Sequence, residues 1–242
     1  MKKISILIPA YNEEKTIERV IKVVTAIKIP NYKKEIIIVN DASTDSTNIL
    51  LNKLRKSNDF ILINHKKNSG KGAAVITALK HATGEIAIIQ DADLEYNPME
   101  IPLLVKAYEL NPNCAIYGSR NLLKNNSYSY ISYLLGNKLL NYTTNLIYGI
   151  KITDMETCYK LIPLKYFKKI DLSSKGFEIE PEITGKLSML KCRIVEVPIS
   201  YKPRSIEEGK KIRWIDGLLA LKKLITVRLF FNRTKSQKQH IK

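Results

Sequence analysis

Four short runs of aliphatic and β-branched residues, each leading into a segment of helical period, constrain this chain more than any other feature. They are Ile4 to Pro9, Glu35 to Asn40, Phe60 to Asn64, and Glu85 to Ile89, the last closing at Asp91. Between them Ile17, Val20, Ile21, Val24 and Ile27 recur at helical spacing. Ser43 to Lys56 opens on capping residues and continues with Leu50, Leu51 and Leu54 inside. Lys71 to Ala82 is a further helix, opened by Gly70 and Gly72. Apolar runs that are continuous rather than alternating are buried on both faces. That predicts an α/β fold with a mostly parallel central sheet flanked by helices, Rossmann-like in its nucleotide-binding half.

At 242 residues and 45% apolar content the chain can build one large domain. Cys114, Cys158 and Cys192 are odd in number and widely spaced, which fits neither a disulfide framework nor a zinc site and points to a reducing compartment. Met1-Lys2-Lys3 and the apolar stretch after it have the outline of a signal peptide. The stretch is too short, and Tyr11-Asn12-Glu13-Glu14 stands where a cleavage region belongs. No segment reaches the roughly 18–20 apolar residues of a membrane span.

The formal charge of +17, from 40 Lys+Arg against 23 Asp+Glu, implies an anionic partner: nucleotide phosphates, acidic lipids or nucleic acid. The basic residues are not interleaved with aromatics in a recognisable nucleic-acid motif, so no nucleic-acid partner is expected. Ile131, Leu135, Leu139, Tyr142 and Leu146 form one face of a predicted helix, and Asn137, Asn141 and Asn145 another. Trp214, Leu218, Leu221, Ile225 and Leu229 repeat the pattern among Lys222, Lys223 and Arg228. Taken singly, each reads more readily as a core helix. As a pair, with the closing Arg233, Lys235, Lys238 and Lys242, they equally suit a protein lying on a bilayer surface.

Ligands of open α/β sheets bind beyond the carboxyl ends of the strands. Those ends deliver Pro9-Ala10-Tyr11-Asn12-Glu13, Asn40-Asp41-Ala42-Ser43-Thr44-Asp45 and Asp91-Ala92-Asp93 to one rim. Two carboxylates one residue apart repel unless a cation joins them, and a divalent metal gripping phosphate oxygens removes that repulsion. Tyr11 can stack on a base, and Asp41 can accept hydrogen bonds from a base or ribose. In Asn68-Ser69-Gly70-Lys71-Gly72, backbone N–H groups and Lys71 can meet anionic ligand atoms. Neither a P-loop nor a dinucleotide fingerprint is present.

Those three rim segments together resemble glycosyltransferase family 2, with its GT-A fold. The Asn68–Gly72 turn, Gly118-Ser119-Arg120, and Arg204 with Gly209-Lys210-Lys211-Ile212 resemble its dolichol- and polyprenyl-phosphate sugar synthase branch. The likeness runs from about Lys3 to about Leu224. It implies one glycosyltransferase domain over residues 1–225, with a nucleotide-sugar half (1–125), an acceptor half (126–225) and a basic tail (226–242). Pro9, Tyr11, Glu13, Asp41 and Lys71 would bind the nucleotide. Asp91 and Asp93 would be the catalytic pair holding Mg2+ or Mn2+, with Glu95 as a further metal contact. Arg120, Arg204 and Lys211 would meet phosphates of donor or acceptor.

The resemblance further implies a metal-dependent, inverting transfer of a hexose from GDP-mannose or UDP-glucose to a polyprenyl phosphate. The enzyme would lie peripherally on the cytoplasmic face of a membrane, and a separate membrane-anchor protein is left open as a partner. A lipid phosphate is already ionised and needs no general base. Asp154-Met155-Glu156-Thr157-Cys158-Tyr159-Lys160 departs from the Asp-X-X-Ser-Gly-Phe pattern of dolichol-phosphate mannose synthases. The chief rival is therefore a family member acting on a sugar hydroxyl, with Asp154 or Glu156 as base. A nucleotidyltransferase and a basic nucleic-acid-binding module fit less well. Glu178, Glu180 and Glu182 are expected to be structural, Cys158 a buried small residue, and His65, His81 and His240 surface or packing residues.

Overall fold

A computed structural model describes residues 1–124, 126, 131–204 and 214–239, with the backbone alone at 131–133, 214 and 232–239. The predicted strands are present as β1 (Lys2–Ala10), β2 (Tyr32–Asn40), β3 (Ile61–Asn64) and β4 (Ile86–Ile89). The helices between them are α1 (Ile17–Ala26), α2 (Thr47–Leu54) and α3 (Lys71–His81). Further on come α4 (Ile101–Leu110), β5 (Ala115–Ser119), α5 (Ile131–Tyr148), β6 (Lys160–Pro163), α6 (Leu164–Lys169), α7 (Ile179–Met189), β7 (Ile194–Pro198) and α8 (Trp214–Gln239). The seven strands form one sheet ordered β3-β2-β1-β4-β6-β5-β7. Only β6 runs against its neighbours β4 and β5 among the described residues. The mostly parallel α/β architecture is as the sequence predicts.

Continuous apolar strands are central for a physical reason. Ile6, Leu7, Ile8, Ile37, Ile38, Ile88 and Ile89 are fully buried, since helices cover both faces of the sheet. α1 turns Ile17, Val20, Ile21 and Val24 onto it. Because β6 is antiparallel, the loop leading into it lies at the same rim as the C-terminal ends of β1, β2 and β4. The second half of the chain thereby reaches the site.

Among the helices of the second half, α5 is inverted. On α5 the leucine stripe faces outward: Leu135, Leu139, Tyr142 and Leu146 are all exposed. The asparagine face points in. Asn141 Nδ2 donates to Asn137 Oδ1 (2.7 Å) and to the Thr153 carbonyl (2.6 Å), and its Oδ1 accepts from Met155 N (2.7 Å). Asn145 makes the same paired exchange with Ile152, at 2.9 and 3.0 Å. An extended loop before β6 has no strand partner, so the amide side chains satisfy its backbone. The reading of α5 as an ordinary core helix is overturned by this arrangement.

On α8, Ala220, Leu224, Val227 and Phe231 pack inward, while Leu218, Leu219, Ile225, Leu229 and Phe230 are exposed. Tyr148 ties α5 to α8 by donating to the Leu224 carbonyl at 2.7 Å. No helix among the described residues is long and apolar enough to cross a membrane.

Candidate active site

The strand-end loops are stitched together before they hold anything. Asn12 Oδ1 accepts from Thr44 N (2.8 Å), Ser43 Oγ accepts from Asn12 N (3.0 Å), and Thr47 Oγ1 accepts from Glu13 N (2.8 Å). Asn12, Ala42 and Leu94, one in each loop, have φ of 50°, 56° and 62°. Left-handed backbone at a residue with a Cβ costs roughly 1–2 kcal/mol. Its occurrence at each of these strand ends makes the rim a place where local backbone strain is held by the surrounding contacts.

These loops, with residues from the second half, line a cavity of about 310 Å3. Pro9, Tyr11, Glu13, Asp41, Lys71, Asp91, Asp93, Glu95, Arg120 and Arg204 all line it. Every sequence-predicted site residue that is described therefore converges here. Lys211, with Gly209, Lys210 and Ile212, lies outside the described residues.

The residues differ in what they are already doing. Asp41 is 2% exposed. Its carboxylate accepts from Ser69 N (2.9 and 3.1 Å) and Gly70 N (2.7 Å), and lies 2.6 Å from His65 Nδ1. It shapes the turn before α3 as well as facing the cavity. Gly70, at φ 95°, and Gly72 let that turn press against the backbone of Ser174, Lys175 and Gly176, where a Cβ would collide with carbonyl oxygens. Lys71 Nζ bridges Asp91 (2.9 Å) and Glu180 (3.3 Å). Burial draws its pKa down, but the negative groups around it, Asp91 foremost and Glu180 among them, together outweigh burial and hold Lys71 well above its ordinary value.

Arg204 reaches back across the cleft. Its guanidinium bonds both Glu13 oxygens (3.1 and 3.2 Å) and Asp93 Oδ2 (3.1 Å), and its backbone N donates to Glu95 Oε1 (2.7 Å). Glu95 Oε2 accepts from Tyr201 at 2.9 Å. Arg120 is clasped by Asp154 through Nε and Nη2, both at 2.7 Å, with the Asp154 carboxyl fully buried. Asp154 is thereby committed to orienting Arg120.

The carboxylate wall fits a divalent cation. Burial and the neighbouring Asp91 and Glu95 carboxylates push Asp93 up to about 7, with Arg204 opposing them. Such crowding is relieved by a hard cation, and Mg2+ sites commonly use one or two carboxylates and leave the remaining positions to water and phosphate. Among the described residues no group of three or more His, Cys, Asp and Glu forms a self-sufficient cage. Asp91 and Asp93 are the residues that fit this role. Glu95, engaged by Tyr201 and Arg204, adds charge from alongside.

Three contributors escaped sequence reading. His65 bridges Asp41 and Thr77 (Nε2 to Oγ1, 2.9 Å), whereas the sequence placed it as surface or packing. Tyr96 and Tyr201 form an aromatic wall with ring centroids 5.4 Å apart, and Arg120 lies 5.0 Å over the Tyr201 ring. Nothing in local spacing signals these contacts. Cys158 is buried in the wall, as expected. Glu178 and Glu182 bond the backbone at 175–176 and 173–174. Glu180 pairs with the buried Lys160 at 2.6 Å.

A parallel-sheet rim carrying a carboxylate pair, a lysine and two arginines around one cavity fits the GT-A nucleotide-sugar transferase that the rim segments resemble. The chain matches the model of glycosyl transferase family 2 over residues 5–171, and it belongs to that family. It is 31% identical over 236 residues to an uncharacterized protein of Methanocaldococcus jannaschii, covering 94% of this chain and 93% of that one. It is 30% identical over 217 residues to the dolichol-phosphate mannosyltransferase of Pyrococcus furiosus, covering 86% of this chain but only 59% of that protein. In structure it resembles glucosyl-3-phosphoglycerate synthase from Mycobacterium tuberculosis, solved with Mn2+ and UDP-glucose. The TM-score is 0.67 at 19% identity, over 95% of this chain and 78% of that one.

Proposed function

We propose that this glycosyltransferase moves a hexose from a nucleotide sugar, GDP-mannose or UDP-glucose, onto a polyprenyl phosphate at the cytoplasmic surface of a membrane. The observation that carries the reading is the outward-facing apolar stripe on both α5 and α8, set among Lys138, Lys222, Lys223 and Arg228. An acceptor with a long apolar tail and an anionic head needs a greasy, basic approach, and a soluble acceptor does not. Similarity to the Pyrococcus furiosus dolichol-phosphate mannosyltransferase supports the same choice.

In this reading residues 1–125 bind the donor and residues 126–225 the acceptor. Tyr11, Pro9, Glu13 and Asp41 hold the nucleoside. Asp91 and Asp93, with Glu95 beside them, would hold Mg2+ or Mn2+, which supplies positive charge for the departing diphosphate. Lys71, Arg120 and Arg204 position phosphate groups, with Lys211 joining them. A lipid phosphate oxygen attacks the anomeric carbon in line. The new C–O bond forms as the bond to the diphosphate breaks, the electron pair leaves with the nucleoside diphosphate, and configuration inverts. Asp154, occupied with Arg120, is not needed as a base.

The test incubates labelled GDP-mannose or UDP-glucose with Mn2+ and polyprenyl phosphate in detergent, then counts label in the organic phase. Metal-dependent lipid labelling from one donor is expected. Donor hydrolysis with no labelled lipid would sink the acceptor assignment.

A further inference from the structure

Sheet order arranges the cavity wall linearly. Asp41 stands at the end of β2, Tyr11 after β1, Asp91 and Asp93 after β4, and Glu156 and Cys158 just ahead of β6. Neighbouring strands lie about 4.8 Å apart. A donor with its nucleoside at β2 and β1 and its diphosphate at β4 places its hexose against the segment before β6.

Most polar side chains of that segment are already committed. Thr153 bonds Ser119 and Glu196, Asp154 clasps Arg120, and Thr157 donates to the Gly118 carbonyl at 2.6 Å. Lys160 is taken up by Glu180 and by the carbonyls of Met155 and Thr157. Glu156 differs. It lines the cavity, and its Oε1 is buried without a hydrogen-bond partner among the described residues. A buried polar atom left unpaired is costly, so its persistence asks for a ligand.

We propose that Glu156 binds a hydroxyl of the transferred hexose and selects the donor sugar through that contact. The inference rests on the donor reading above. The chemistry of the group agrees with it. Burial pushes the Glu156 carboxyl up to about 7, Lys160 and Arg120 acting against this and Glu180 and Asp154 with it. A protonated carboxyl both donates and accepts, which matches a sugar hydroxyl and does not repel the phosphates nearby. Both opposing cations are already paired, so neither pins Glu156 in its ionised form.

The test measures, by calorimetry with Mn2+, the binding of UDP, GDP, UDP-glucose and GDP-mannose to wild type, Glu156→Gln and Glu156→Ala. Turnover is followed alongside, and wild type is also given deoxy-hexose donors. Glu156→Ala should leave nucleoside diphosphate affinity within about twofold and weaken the preferred nucleotide sugar about 10- to 100-fold. Glu156→Gln should stay within a few-fold of wild type. One deoxy donor should lose as much on wild type as Glu156→Ala loses on the full sugar, and the two losses should not add.

Equal weakening of diphosphate and sugar would reduce Glu156 to a structural role. Turnover abolished in Glu156→Gln with donor binding intact would make it a base on an acceptor hydroxyl. Indifference of wild type to every deoxy donor overturns the proposal even if Glu156→Ala fails to fold. Absence of any nucleotide binding by wild type would instead sink the donor reading beneath it.

Discussion

In α1 the residues at helical spacing, Ile17, Val20, Ile21 and Val24, are at most 1% exposed and face the sheet. In α5 the residues at the same spacing, Leu135, Leu139, Tyr142 and Leu146, are 60, 65, 67 and 72% exposed, while Asn137 and Asn141 are 7% and 6% exposed. Amphipathic periodicity thus identifies a two-faced helix but not which face meets the protein. What decides it is the neighbour. α1 packs on a sheet whose backbone is already paired and offers only apolar surface. α5 packs on a loop at 150–155 whose carbonyls and N–H groups need partners, and amides supply them. The leucines are then left on the exposed face.

The largest effect should fall on the donor rim. Asp93→Asn keeps the shape of the wall but removes a charge suited to holding metal against diphosphate. Turnover should fall about 10²- to 10³-fold, read as labelled product at saturating donor. Normal metal-dependent turnover would show that the wall has been assigned the wrong task. Next comes the outward stripe of the second half. Leu135→Ser, Leu139→Ser, Leu146→Ser and Leu229→Ser together should weaken binding to vesicles containing acidic lipid by about a hundredfold. Thermal stability should barely change, because exposed positions contribute within about ±0.5 kcal/mol each. Unfolding of this variant would mean that the stripe is core after all.

The inward face gives the complementary result. Asn141→Leu matches the apolar character expected of a buried helix position, yet it should destabilise the protein by about 1–3 kcal/mol, because it orphans Met155 N and leaves the Thr153 carbonyl with Asn121 as its one side-chain donor among the described residues. A melting temperature lowered by about 2–4 °C for each kcal/mol would be the signature. An unchanged melt would show that the amide ladder is dispensable.

Legibility follows the same divide. β1, β2 and β4 could be read because an unbroken aliphatic run has one economical destination, the middle of a covered sheet. Their ends then put Tyr11, Asp41, Asp91 and Asp93 on one rim by geometry alone. Arg204 was legible through resemblance, but its grip on Glu13, 191 residues away, was not. Tyr201, His65 and Glu156 acquire their meaning from contacts across the fold that no local spacing encodes. The antiparallel insertion of β6 between β4 and β5 brings Glu156 to the cavity, and a four-residue strand carries no mark of its direction.

Two carboxylates, one in each half, give the smallest effect and the sharpest contrast in sign. Burial acts to raise the pKa of Glu35, but hydrogen bonds from Ser5 (2.6 Å) and Thr83 (2.8 and 2.5 Å), with Lys3 nearby, outweigh it and leave the pKa lowered. Its contribution is fully present above the ordinary carboxylate value and fades as pH falls through the folded value. Glu196 accepts from Thr153 N and Asp154 N, yet burial and the Asp154 carboxylate leave its pKa raised. Its ionisation costs stability as pH rises through the folded value. Relative to wild type, then, the deficit of Glu35→Gln should shrink as acid is added. Glu196→Gln should gain on wild type as pH climbs from the ordinary carboxylate range toward neutrality. Melting temperatures across that range read both slopes, and slopes of the same sign would mean that the two buried carboxylates do not differ as their surroundings dictate.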